Sequence, residues 1–89
     1  MNKTLEELRK EIDAIDANIV EMLGKRMEIV KEIGKIKKEM QKEIFDDNRW
    51  QQVLINIKEK ATAVHLDTSF IENLYSLIHK HAQELEKKE

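Results

Sequence analysis

From Leu5 to Met40 the apolar residues fall at Leu5, Leu8, Ile12, Ile15, Ile19, Met22, Ile29, Ile33, Ile36 and Met40. The intervals follow alternating steps of three and four, the period of a helix that keeps one seam against a neighbour. The seam is interrupted once, at Arg26. A guanidinium on a buried seam needs an acidic side chain or an anionic ligand, because an unpaired buried charge costs on the order of several kcal/mol. A second apolar stripe runs along the flank through Leu23, Met27 and Val30. Whole heptads away on the row of Leu23 and Val30 lie Arg9, Asp16 and Lys37, so the apolar face is widest in the middle. Thr4 and Glu7 have the spacing of a capping box, and the pattern predicts a first helix over about 4–42.

At ~1.5 Å per residue that helix would run roughly 58 Å. A compact monomer of this length has a radius of gyration near ~12 Å. One chain cannot hide such a seam, which predicts an obligate dimer.

The pattern breaks at Glu43-Ile44-Phe45-Asp46-Asp47-Asn48, read as a short loop with Asp46 or Asp47 as N-cap. A second helix is predicted over about 47–64, with Trp50, Val53, Leu54, Ile57 and Ala61 on one face. Arg49 lies in its first turn, beside the positive end of the helix dipole, an unfavourable place for a cation with no other role. His65-Leu66-Asp67 makes the second break. A third helix is predicted over about 68–86, with Ser69 and Glu72 as a capping box and a charged tail that frays. The expectation is an all-α chain with one long and two shorter helices, a single domain over 1–89, in an intertwined antiparallel homodimer.

The 89 residues contain no proline and no cysteine, 38% are charged and 4% aromatic, and the formal net charge is −2. This composition suits long amphipathic helices and gives no general attraction to nucleic acid or anionic membrane. Thiol chemistry and a disulfide framework are excluded. The charged start MNKTLEELRKEID has no signal-peptide character, and no apolar run approaches the ~20 residues of a membrane span, so a cytoplasmic location is expected.

No metal site is expected. His79 and His81 are two apart on a helix and face different ways, His65 lies in a turn, and surface or boundary histidines are the simpler reading. No serine sits in a strained turn beside a histidine and an acid. Gly24 and Gly34 form no phosphate loop and are read as sites of close helix packing.

What remains is a set of cations on apolar-flanked rows: Arg9, Arg26, Lys37 and Arg49. Arg9 and Lys37 lie 28 residues apart, roughly 42 Å along one helix. In an antiparallel dimer crossing near residue 20, Arg9 of one chain falls between Arg26 and Lys37 of the other. Each dimer then has two equivalent pockets suited to a small dianion, since an arginine fork grips a carboxylate with two hydrogen bonds.

Across essentially its whole length the chain resembles the all-helical chorismate mutases. The strings that carry the likeness are LRKEIDAID at 8–16, the KR-x-E-I-x-x-x-IGKIK run from Lys25 to Lys37, Asp46 with Arg49, and the HLD…F…LY-x-LI run from His65 to Ile78. The resemblance implies an intertwined helical dimer that converts chorismate to prephenate by a Claisen rearrangement, with no cofactor, on the route to Phe and Tyr. It implies that Arg9 reaches in from the partner chain to grip a carboxylate and that Arg26 grips a carboxylate too. Lys37 would donate to the ether oxygen and a neighbouring carboxylate. Asp46 and Arg49 would line the pocket, and Glu86 would be the second donor to the ether oxygen. As a donor Glu86 must be protonated, so turnover is expected to weaken as pH rises.

The chain departs from the family pattern at two places. Trp50 stands where many members have a Glu that contacts the ring hydroxyl, and Ala82 replaces a Ser common near the carboxylate. Both bear on which ring substituent is read. The related substrates 4-amino-4-deoxychorismate (a mutase reaction) and isochorismate (pyruvate loss) therefore stay open, as does a non-catalytic helical dimer or ligand-sensing module. Arg26 in the seam favours an anion site over a structural role, since a packed apolar residue there is often more stabilising than a buried ion.

Overall fold

The computed structural model describes residues 2–89; Met1, the first residue of the expected domain, lies outside them. The chain forms three helices, α1 (Leu5–Glu39), α2 (Asp47–Ala63) and α3 (Thr68–Lys88), with no strand among the described residues. The all-α expectation therefore holds. α3 packs against both α1 and α2. The principal extents are 59 × 23 × 15 Å and the radius of gyration is 16.6 Å, well above the ~12 Å of a compact chain of this length.

The helix starts are set by side-chain caps. Thr4 Oγ1 accepts from Glu7 N at 3.1 Å and Glu7 Oε2 accepts from Thr4 N at 3.2 Å, which is the expected capping box. Asp46 caps α2 by accepting from Arg49 N at 3.1 Å. For α3 the expected box of Ser69 and Glu72 does not form. Asp67 Oδ1 accepts from Ser69 N at 2.8 Å instead, and Glu72 pairs with Lys58 Nζ on α2 at 3.3 Å.

The helix ends differ from expectation for one shared reason. α1 stops at Glu39 rather than near residue 42, because Gln41 takes the left-handed conformation at φ 54°. Lys42 N then donates to Lys37 O at 2.8 Å and Gln41 N to Lys38 O at 3.2 Å, the paired bonds of a Schellman motif. α2 ends the same way: His65 is left-handed at φ 62°, with Leu66 N donating to Ala61 O at 2.8 Å and His65 N to Thr62 O at 3.2 Å. The tail after Glu86 is helical to Lys88 and docked, against the expectation of fraying. Gly34 accounts for the docking: a Cβ there would lie 2.9 Å from Glu86 Cα and 3.2 Å from Glu89 Cγ. Lys38 Nζ also donates to the Glu89 carbonyl at 3.1 Å.

Within the chain, the flank stripe makes the core. Leu23 and Met27 are half-buried and Val30 is buried. The buried apolar side chains among the described residues are few and small: Val30, Ala61 and Ala82. The ten seam residues from Leu5 to Met40 are all open, between 41% and 64% exposed. Gly24 does not match its expected packing role within the chain, since a Cβ there would meet nothing within 4 Å.

Candidate functional site

The helices enclose one cleft of about 280 Å³ to which all three contribute. α1 supplies Arg26 and Lys37, the start of α2 with its cap supplies Asp46, Arg49 and Trp50, and α3 supplies His79, Ala82 and Glu86. Helical spacing explains the composition. Arg26, Val30, Ile33 and Lys37 follow one another by three or four residues along one face of α1, as do His79, Ala82 and Glu86 along α3. Seven of the eight residues expected at the site thus converge. Arg9 does not: it is exposed on α1, roughly 26 Å along the helix from Arg26.

Lys37 and Glu86 form the polar floor. Lys37 Nζ lies 2.7 Å from Glu86 Oε1, with side-chain exposures of 20% and 9%. It also donates to the Ile44 carbonyl at 2.5 Å, which ties the loop to α1. The approach to Glu86 is an ion pair but lies off the hydrogen-bonding direction, and Glu86 Oε1 is buried with no hydrogen bond. Ala82, 5% exposed, lets α3 approach and leaves the cleft roomy.

The arginines behave differently from the lysines. Every ion pair among the described residues is made by a lysine. Arg9, Arg26 and Arg49, the three arginines of the chain, have no carboxylate partner there. Arg26 is half-buried, with its Cζ 5.9 Å from the centroid of the Tyr75 ring. That contact lies near the ~6 Å limit of a cation–π interaction and leaves the guanidinium fork free. Arg49 stands at the cleft edge, its backbone held by Asp46. The cleft therefore offers a planar anion two unused guanidinium groups and an ammonium.

His79, expected at the surface or boundary, is half-buried and lines the cleft. Trp50 stacks on it, ring centroids 4.2 Å apart and planes 17° from parallel, and Phe45 meets it edge-on at 6.0 Å. Burial lowers its pKa below the ordinary 6.5; Glu86 opposes that shift, and Arg26 and Lys37 add to it. The imidazole is thus neutral at neutral pH. The signal that could have found it is its place three residues before Ala82 and seven before Glu86. No group of three His, Asp or Glu side chains among the described residues is arranged to hold a metal ion, and no described helix is long and apolar enough to cross a membrane.

Comparison with known proteins gives a consistent picture. The family model described as chorismate mutase type II matches residues 8–87. The bifunctional chorismate mutase/prephenate dehydratase of Escherichia coli is 32% identical over 71 residues, 80% of this chain. The T-protein of Enterobacter agglomerans is 30% identical over 67 residues, 75% of this chain. This chain spans only 18% of the length of either protein. The chorismate mutase of Methanocaldococcus jannaschii is 25% identical over 87 residues, covering 98% of this chain and 88% of that protein.

Proposed function

The chain belongs to the type II chorismate mutase family, and on that premise we propose that it converts chorismate to prephenate as an antiparallel homodimer. The observation that carries this reading is the convergence of Arg26, Lys37 and Arg49 on one cleft, with both arginine forks unused. A dicarboxylate fits that set, each carboxylate taking a two-pronged grip from a guanidinium. Arg9 completes the clamp from the partner chain.

The rearrangement breaks the ether C–O bond while a new C–C bond forms, in one cyclic shift of electrons. No proton, electron or group enters or leaves. It therefore asks the protein for two things: a substrate held in the reactive chair, and donors aimed at the oxygen that gains charge as its bond breaks. Arg26 and Arg9 fix the two carboxylates, and Arg49 and Asp46 bound the cleft beside them. Lys37 and Glu86 meet the ether oxygen, so binding must part their ion pair. Glu86 acts there only in its protonated form. Glu86→Gln keeps a donor at that place, and its kcat at saturating chorismate is expected to match or exceed the parent's.

The open seam supports the dimer. Soluble chains rarely expose so long a continuous apolar strip, and a second copy running the opposite way covers it while bringing Arg9 to the cleft. The direct test is loss of chorismate absorbance on adding protein, with prephenate identified as product. Chorismate left intact while prephenate binds would assign the fold a ligand-sensing role.

A further inference from the structure

Three successive residues fasten the loop between α1 and α2 to three different elements. The Ile44 carbonyl accepts from Lys37 Nζ on α1 at 2.5 Å. The Phe45 ring meets the His79 ring of α3 edge-on, with centroids 6.0 Å apart, a geometry that aromatic pairs favour. Asp46 caps α2 by accepting from Arg49 N. His79 is in turn stacked on Trp50 of α2, so Phe45 leans on a ring that is itself held. Phe45 is 48% exposed, so burial alone gains little from a phenyl ring at that place.

The fastening bears on Lys37. A lysine carries its ammonium on a flexible four-carbon stem, without the planar fork of an arginine, so its direction must come from its contacts. The Glu86 carboxylate lies 2.7 Å from Nζ but off the hydrogen-bonding direction, which leaves the Ile44 carbonyl as the directed contact. An ammonium has three N–H donors. The carbonyl takes one and leaves two for a ligand, and being neutral it does not cancel the charge that a developing oxyanion needs. A ligand oxygen must part the Glu86 contact, whereas the carbonyl stands on the loop and can stay. Without the ring contact the carbonyl would follow the lysine rather than direct it. Resting on the proposed reaction, we infer that Phe45 is a positioning residue for the rearrangement: its ring on His79 holds the loop so that the Ile44 carbonyl aims the Lys37 ammonium at the breaking ether bond.

The test is steady-state kinetics on chorismate for the parent, Phe45→Ala and Phe45→Tyr, with thermal denaturation of each. Phe45→Ala is expected to lower kcat roughly tenfold with KM within about twofold of the parent. The arginines still hold the carboxylates, while the donor to the ether oxygen loses its aim. Phe45→Tyr keeps the ring contact and is expected within about twofold of the parent in both constants. A ring that only stabilises the fold would lower the melting temperature and leave kcat of the folded enzyme unchanged. A second measurement needs no variant. The scalar coupling between Lys37 15Nζ and the Ile44 carbonyl 13C, across their hydrogen bond, is expected in the free parent and should persist on saturation with prephenate. Unchanged kcat in Phe45→Ala, a loss confined to KM, a Phe45→Tyr as impaired as Phe45→Ala, or a coupling that vanishes with bound prephenate overturns the inference and leaves the mutase reading standing. A parent that neither consumes chorismate nor binds prephenate overturns both.

Discussion

The two halves of α1 carry the same seam in different surroundings. From Leu5 to Met22 every residue is exposed. From Leu23 onward the helix lies against α3, with Val30 and Gly34 buried and Leu23, Arg26 and Met27 half-buried. Yet the seam itself is as open in one half as in the other: Ile12 and Ile29 are both 57% exposed. What changes is the row beside it, which reads Arg9 and Asp16 in the first half and Leu23 and Val30 in the second. The flank row decides what packs within the chain. The seam is left for something else along the whole length of the helix, and in the first half no apolar residue is buried within the chain.

The largest effect expected from this contrast concerns Arg9, which lies in the open half and far from the cleft of its own chain. Arg9→Ala and Arg26→Ala should each lower kcat/KM by about a hundredfold or more, as loss of a buried charge-assisted contact does. Mixing the two inactive variants should restore activity. Each mixed dimer then has one site with both arginines intact and one with neither. Random pairing makes half the dimers mixed, so recovery should approach about a quarter of the parent rate. Two inactive variants that stay inactive after unfolding and refolding together would place both arginines in one chain's site, or Arg9 in none.

A charge placed on the open seam is the next largest. Ile12 is 57% exposed within the chain, so a monomeric protein would tolerate Ile12→Glu. In the proposed dimer it places an unpaired carboxylate at a covered position in both chains, at a cost of about 3–5 kcal/mol for each. Sedimentation should then show monomer, with much of the helical signal lost at low concentration. Lys10→Glu on the outer face of the same half is the control, expected within about 0.5 kcal/mol of the parent. Equal stability and equal mass for the two variants would show that the seam faces water.

Much of this architecture could be read from the residues. A seam of alternating threes and fours, a cation interrupting it and an aspartate before a helix are local patterns, and each keeps its meaning in three dimensions. The helix ends were harder to place because Gln41 and His65 hold left-handed positions usually given to glycine. That choice depends on carbonyls four or five residues back rather than on the residue itself. His79 was hidden for a related reason. Histidine spacing was weighed for metal binding, whereas its meaning comes from Trp50 and Phe45 on other segments. Glu86 could be placed by the family likeness; that Lys37 holds it in the free chain could not, because the pairing joins α1 to α3 across 49 residues of sequence.

The two glycines of α1 give the smallest and sharpest form of the comparison, since one substitution tests both regions. At Gly34 an added Cβ would lie 2.9 Å from Glu86 Cα and 3.1 Å from Glu86 O, and neither is a flexible side-chain end that can swing aside. Gly34→Ala must move α3, at a cost of about 1–3 kcal/mol that exceeds or cancels the gain in helix propensity. It should also lower kcat, because the shift displaces Glu86. At Gly24 the added Cβ meets nothing within 4 Å, beside an open groove of about 450 Å³ between Val20, Met27 and Leu77. Gly24→Ala should therefore stabilise by about 1 kcal/mol, the propensity difference for an exposed helical site. Opposite signs in thermal denaturation at one protein concentration would confirm that the C-terminal half of α1 is already filled by α3 while the groove at Gly24 stays open. A loss of stability in Gly24→Ala instead means that the partner chain reaches beyond the seam and occupies that groove.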